Sequence, residues 1–347
     1  MLVIWKSQIM NQRIEFIDLV KGVCILLVVG LHSGCIDIFP GDRHLEVPLF
    51  FVLSGLFFKD YGVDTWRKKI NSLIVPFVAF YILGDLFYLI IYKLGVIAEL
   101  KPYPCIDMFW SCMPCDLPIW FLISLMTCYM TFWGITRVAK TEFWRGCLVM
   151  VATSLGIGMW LMNWNPYFIG SALSAMPFFY MGYALKRTAI LSPGKWDKFC
   201  ILIAVALYAV AWVGMHVWWS RLSIYGNFFE GNVLLAYIIS AFIILATIFL
   251  CKAIKWLPLI SFAGCNSLVV LVIHMPIIPM VQRAQIMLLH NESRYLLWLL
   301  SSLVTLALVP LVKKLMPYST CQKELFKKGR FSFWPAKLAE KESDESV

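Results

Sequence analysis

Gly231-Asn-Val-Leu-Leu-Ala-Tyr-Ile-Ile-Ser-Ala-Phe-Ile-Ile-Leu-Ala-Thr-Ile-Phe-Leu-Cys251 contains no charged residue and is closed by Lys252. A helix rising about 1.5 Å per residue carries such a stretch across about 30 Å, the thickness of a bilayer's hydrocarbon core. Comparable runs recur at 14–36, 46–58, 72–92, 118–138, 145–163, 167–185, 199–219, 257–279 and 294–316, the second short enough to be re-entrant or tilted. The pattern predicts an all-α transmembrane bundle of about ten spans. Composition agrees: 61% of the 347 residues are hydrophobic and 14% are charged, against about half and a quarter in a soluble domain. A soluble fold is excluded. The runs lack the ten-residue alternation of an outer-membrane barrel.

The net charge of +10 is explained by topology. Placing the N-terminus in the cytoplasm puts most of the 30 Lys and Arg residues in inside segments and leaves Arg43, Lys93, Lys101, Arg221, Arg283 and Arg294 outside. Cytoplasmic loops collect basic residues, so both termini are expected inside and no nucleic acid is expected as a partner. The first apolar stretch is long, carries internal charges and lacks a small-residue cleavage pattern, so it reads as an uncleaved helix. The expected division is a transmembrane domain over 1–316 and a cytoplasmic, disordered tail over 317–347, where Lys, Glu and Ser replace apolar residues.

Most of the 11 cysteines sit inside apolar runs, where a thiol behaves as a small hydrophobe. Cys105, Cys112 and Cys115 share one outside loop. A single C-x-x-C points to loop structure or a disulfide before zinc, so no metal site is expected.

Ionisable residues inside lipid are costly and mark function. The first span carries Asp18, Lys21 and His32, and at about 100° per residue the three form one stripe. Asp18 and Lys21 are an i,i+3 pair, and His32 stands about 16 Å further along. A snorkelling Lys21 paired with Asp18 is the plain structural alternative. In the span read at 257–279, Ser267 and His274 share a face and Asn266 adjoins them. Counted from the inner ends of the two spans, His32 lies about 27 Å and His274 about 26 Å along, so the imidazoles are expected at one level. Asp85 has no evident partner; His44 and Glu46 stand near the external mouth.

These residues also resemble acyltransferase family 3. Arg13 to His32 is similar to that family's first helix, in which a basic residue precedes a histidine by eleven positions, as Lys21 precedes His32. Pro48-Leu-Phe-Phe-Val-Leu-Ser-Gly55 resembles its FFxxSG segment, Trp120-Phe-Leu122 its WFL, Pro177-Phe-Phe-Tyr-Met-Gly182 its aromatic-Gly segment, and Gly264 to His274 its late Ser-to-His helix. The family often has Arg before an L-L-I-P segment, where this chain has Ser72 before Leu73-Ile-Val-Pro76; Arg67, Lys68 and Lys69 stand nearby.

The resemblance implies an integral-membrane enzyme, in the inner membrane of a bacterium, that moves an acyl group, often acetyl, from cytoplasmic acyl-CoA to a hydroxyl of a cell-surface or lipid-linked glycan. Acyl-CoA is then a donor substrate and no cofactor is held permanently. Lys21, Arg67, Lys68 and Lys69 are the candidates for the donor's phosphates. His32 is the candidate general base and His274 the second catalytic candidate. Asp18, Ser54, Asn266 and Ser267 are supporting candidates, with Ser54, Asn266 and His274 as possible oxyanion donors. A flippase or transporter of a glycan or its lipid-linked precursor is the alternative, though no paired, broken repeats mark one. A glycosyltransferase with acidic residues in a large external loop is remoter, since Asp107 and Asp116 are isolated.

Overall fold

The computed structural model describes residues 15–35, 45–59, 62–95, 117–188, 197–218 and 220–327. The N-terminal residues and the loop holding Cys105, Cys112 and Cys115 lie outside the described residues, as does His44. In chain order the helices begin with α1 (Glu15–His32), α2 (Glu46–Leu56) and α3 (Val63–Lys69). Helix α3 passes through a π-helical turn, Ile70–Ile74, into α4 (Val75–Lys93). Next come α5 (Trp120–Val138), α6 (Glu142–Leu161), α7 (Ile169–Ser174), α8 (Met176–Leu185) and α9 (Cys200–Val217). A hairpin of β1 (Ser220–Ser223) and β2 (Phe228–Gly231) then leads to α10 (Val233–Ile254), α11 (Pro258–Cys265), α12 (Ser267–Leu289) and α13 (Arg294–Leu315).

Among the described residues seven helices are long and apolar enough to cross a membrane, and α7 with α8 make an eighth if that bent pair is one span. The chain is a helical membrane bundle. Its lipid-facing surface is apolar, with Leu86, Leu155, Val205 and Leu299 exposed, as expected where hydrocarbon is the solvent.

Two spans read from sequence differ in form. The stretch 46–58 makes a helix of only 11 residues. The stretch 257–279 is two helices, because Asn266 leaves helical geometry at φ −116 and ψ 20 and donates its side-chain Nδ2 to the Phe262 carbonyl, 2.8 Å away. A side chain that satisfies a backbone group locally competes with the helix ladder. The 48° bend between α7 and α8 falls just before Pro177, which lacks an N–H and disfavours helix in the residue before it.

Glycines set how the helices cross. A Cβ on Gly22 would lie 1.8 Å from the Ile260 carbonyl oxygen, and one on Gly264 would lie 1.7 Å from that of Asp18. Helices α1 and α11 therefore touch backbone to backbone. The same holds for α2 and α8, where Cβ atoms on Gly55 and Gly182 would meet the carbonyl oxygens of Phe179 at 1.9 Å and Val52 at 1.8 Å. Without a hydrophobic drive between helices in lipid, such close van der Waals approach is a main source of association.

The chain past α13 does not detach at once. Asn71, buried in the π-turn, accepts from the backbone N–H groups of Leu325 and Phe326 at 3.0 Å each and donates to the Phe326 carbonyl at 3.0 Å. Residues 317–327, assigned by sequence to the tail, thus fold back on the bundle, because one amide supplies both donor and acceptor to an extended backbone.

Candidate active site

The α1 and α11 crossing fixes the level of everything above it. Ten residues separate Gly22 from His32, and ten separate Gly264 from His274. From that contact α1 climbs about 15 Å without a break to His32, and the chain beyond the break at Asn266 brings His274 to the same level. There the two imidazoles face one another, ring centroids 5.3 Å apart and planes inclined by 48°. The expected level was counted along an unbroken helix over 257–279; the break at Asn266 replaces that count, and the glycine contact supplies the register.

His274 is fully buried. Its Nδ1 lies 2.9 Å from the Val270 carbonyl oxygen, which can only accept, so in the neutral ring Nδ1 carries the proton and Nε2 presents a lone pair. Nε2 has no hydrogen-bond partner among the described residues. His32, at the end of α1, is half-buried and lines two cavities. One, of about 280 Å³, is largely apolar and includes Val28, Phe50, Trp120, Phe121, Tyr225 and Leu271, with the Glu46 side chain. The other, of about 560 Å³, is polar and is walled by the C-terminal half of α12 and the first turn of α13.

The hairpin closes the apolar cavity. Asn227 is buried at its tip with φ 46, a left-handed conformation that Asn tolerates better than most residues. Its side chain accepts from Ser174 Oγ at 2.6 Å and donates to the Gly156 carbonyl at 2.8 Å. So anchored, the hairpin presses Tyr225 against Trp120 and Phe168, with ring centroids 5.3 and 5.9 Å away.

The opposite, basic end gathers cations around the last turn of α2. Lys21 Nζ stands 5.4 Å from the Phe57 ring. Lys69 Nζ stands 3.6 Å over the Tyr129 ring, whose hydroxyl donates to the Ser54 carbonyl at 3.2 Å. Lys186 donates to the Phe58 carbonyl at 2.7 Å. Burial lowers the Lys186 pKa from the ordinary lysine value, and the charges of Lys59 and Arg187 add to this. Lys68 is exposed. Arg67 pairs with Asp64 and Glu324 and donates to the Phe326 carbonyl at 3.0 Å, so the folded-back segment already occupies it.

The supporting candidates divide by level. Asp18 is buried at the α1 and α11 crossing. Asn266 and Ser267 follow Gly264 by two and three residues and so lie near the level of Gly22, about 12 Å below His274. Ser54 belongs to the Tyr129 and Lys69 group. None of Ser54, Asn266 and Ser267 lines either cavity at His32. Asn266 and Ser267 stand about 10–12 Å along the helix from His274, away from the space at that imidazole. Lys186, Tyr129, Gln285 and the hairpin were not singled out from sequence; Lys186 had a signal there only as one more inside charge. Among the described residues no group of His, Cys, Asp and Glu could hold a metal ion.

Fold and site together define a polytopic membrane protein with a basic end and a paired-imidazole cleft toward the other. The model of the acyltransferase family 3 domain matches residues 14–313, nearly the whole chain, and the protein belongs to that family. It is a membrane acyltransferase. No curated protein and no solved structure matches it.

Proposed function

We propose that this protein is an O-acyltransferase of a bacterial inner membrane. It takes an acyl group, acetyl by preference, from acyl-CoA at its basic end and delivers it to a hydroxyl of a cell-surface or lipid-linked glycan at its histidine end. The topology that goes with this reading has both termini in the cytoplasm. Its main support is the position of His32, which borders both cavities and faces His274 at 5.3 Å.

A neutral His32 accepts the proton of the acceptor hydroxyl as its oxygen attacks the thioester carbonyl. The C–S bond then breaks, the departing thiolate takes the proton back from the imidazolium, and an ester and free CoA thiol result. His274, its ring centroid 5.3 Å away and its Nε2 without a partner among the described residues, is the nearby neutral group that can favour the charge appearing on His32 in this step, the part a carboxylate plays in other histidine bases. Donor phosphates held near Lys21 and Lys69 need an arm of about 16 Å to bring the thioester to His32. That is the distance from Lys21 to His32 along the polar stripe on α1.

The test is His32→Gln in proteoliposomes, with release of CoA thiol and mass gain on extracted glycans read together. Gln keeps approximate size and hydrogen bonding but takes up no proton, so transfer should drop by about 10²- to 10⁴-fold while acetyl-CoA still binds. Wild-type transfer should also decline as acid protonates the base. A His32→Gln protein that transfers at near wild-type rate ends this assignment.

A further inference from the structure

We propose that the polar cavity beside His32 is the subsite for one uncharged pyranose ring of the acceptor, with the Gln285 side-chain oxygen as one of its hydrogen-bond acceptors. This deepens the glycan reading above and rests on it. The cavity measures about 560 Å³ and takes in Ser33, Gln282, Gln285, Asn291, Glu292 and Arg294. That volume lies within the range of small-molecule sites.

Gln285 carries the inference. It is 3% exposed, and its Nε2 donates to the Ser293 carbonyl at 3.0 Å. Since a carbonyl only accepts, that bond fixes which end of the amide is nitrogen. The other end, Oε1, has no hydrogen-bond partner among the described residues. A buried amide oxygen without a donor is unfavourable, and a hydroxyl entering the cavity that Gln285 lines would supply that donor once the side chain turns toward it.

The remaining lining narrows the ligand class. One cation, Arg294, is balanced by one carboxylate, Glu292, so the cavity has no charge surplus to select a phosphate or carboxylate. Arg294 is further engaged with the Gly34 carbonyl at 3.2 Å. What is left is amide and hydroxyl groups that both donate and accept, the complement of sugar hydroxyls, which do the same. Its apolar neighbour across His32, with Trp120, Phe121 and Leu271, has the opposite character and suits the acyl chain and thioester. His32 then stands where the two reactants meet.

The experiment uses the full chain in detergent and follows its thermal unfolding midpoint with a panel of methyl pyranosides of glucose, galactose and N-acetylglucosamine, and separately with acetyl-CoA. Anything that binds only the folded state raises the midpoint. At least one pyranoside should do so for the wild type. Gln285→Leu, and Gln282→Ala at an exposed position, should each need about tenfold more glycoside for the same shift. The acetyl-CoA shift should be unchanged in both variants. Failure of every pyranoside on the wild type, or an undiminished glycoside shift in both variants, overturns the subsite. Absence of any acetyl-CoA shift on the wild type would instead count against the donor reading.

Discussion

Replacing Gly264 by Ala tests the contact on which the whole site is registered. The added Cβ would lie 1.7 Å from the Asp18 carbonyl oxygen and 2.7 Å from the Gly22 nitrogen, where ordinary contact begins at 3.4 Å. Both neighbours are backbone, so no rotamer change relieves the clash, and α1 and α11 must part by about 1.7 Å. Overpacking typically costs about 1–3 kcal/mol, and a clash with backbone on both sides belongs at the upper end, about 3 kcal/mol. Because α1 carries Lys21 and His32, the same displacement misaligns them, and about 1 Å of misplacement can cost about 10²-fold in rate. Gly158→Ala in α6 is the internal control: nothing lies within 4 Å of its Cβ, and Ala in a helix interior gains about 0.5–1 kcal/mol over Gly. The assay is the thermal midpoint of each variant in one detergent, paired with CoA thiol release. Gly264→Ala should melt lower and react more slowly, while Gly158→Ala should match or exceed the wild type. Equal midpoints and rates for the two variants would refute the backbone contact and the register argued from it.

Three further outcomes are expected. Lys21→Ala should raise the acyl-CoA concentration needed for half-maximal transfer, and Lys21→Arg, which retains charge and phosphate affinity, should be milder; equal losses with unchanged acyl-CoA binding would make Lys21 only a partner for Asp18. Asn71→Leu removes hydrogen bonds to Leu325 and Phe326, so limited proteolysis should cut the 317–327 segment faster, and an unchanged cleavage rate would contradict its docking. A membrane-impermeant thiol reagent should reach the loop of Cys105, Cys112 and Cys115 in intact cells, after reduction if the loop is disulfide-bonded; labelling only after lysis would reverse the topology.

The sequence by itself determined the class of structure and the stripe of α1. Runs such as Gly231–Cys251 exceed what any soluble core absorbs, and alignment of Asp18, Lys21 and His32 follows from helical periodicity within one segment. Relations between segments were decided only by the tertiary structure. Membrane helices that are apolar all round do not record which face meets which neighbour, and their approach is set where small residues permit it. Contact of Gly22 and Gly264 with the facing backbone brought His32 to His274. Arg67, one of the candidates for the donor's phosphates, is held by Glu324 and the Phe326 carbonyl of the folded-back segment. Gln285 looked like one polar residue near a helix end; only the fold turned its amide against Ser293 and set the residue in the wall of a cavity next to the imidazole.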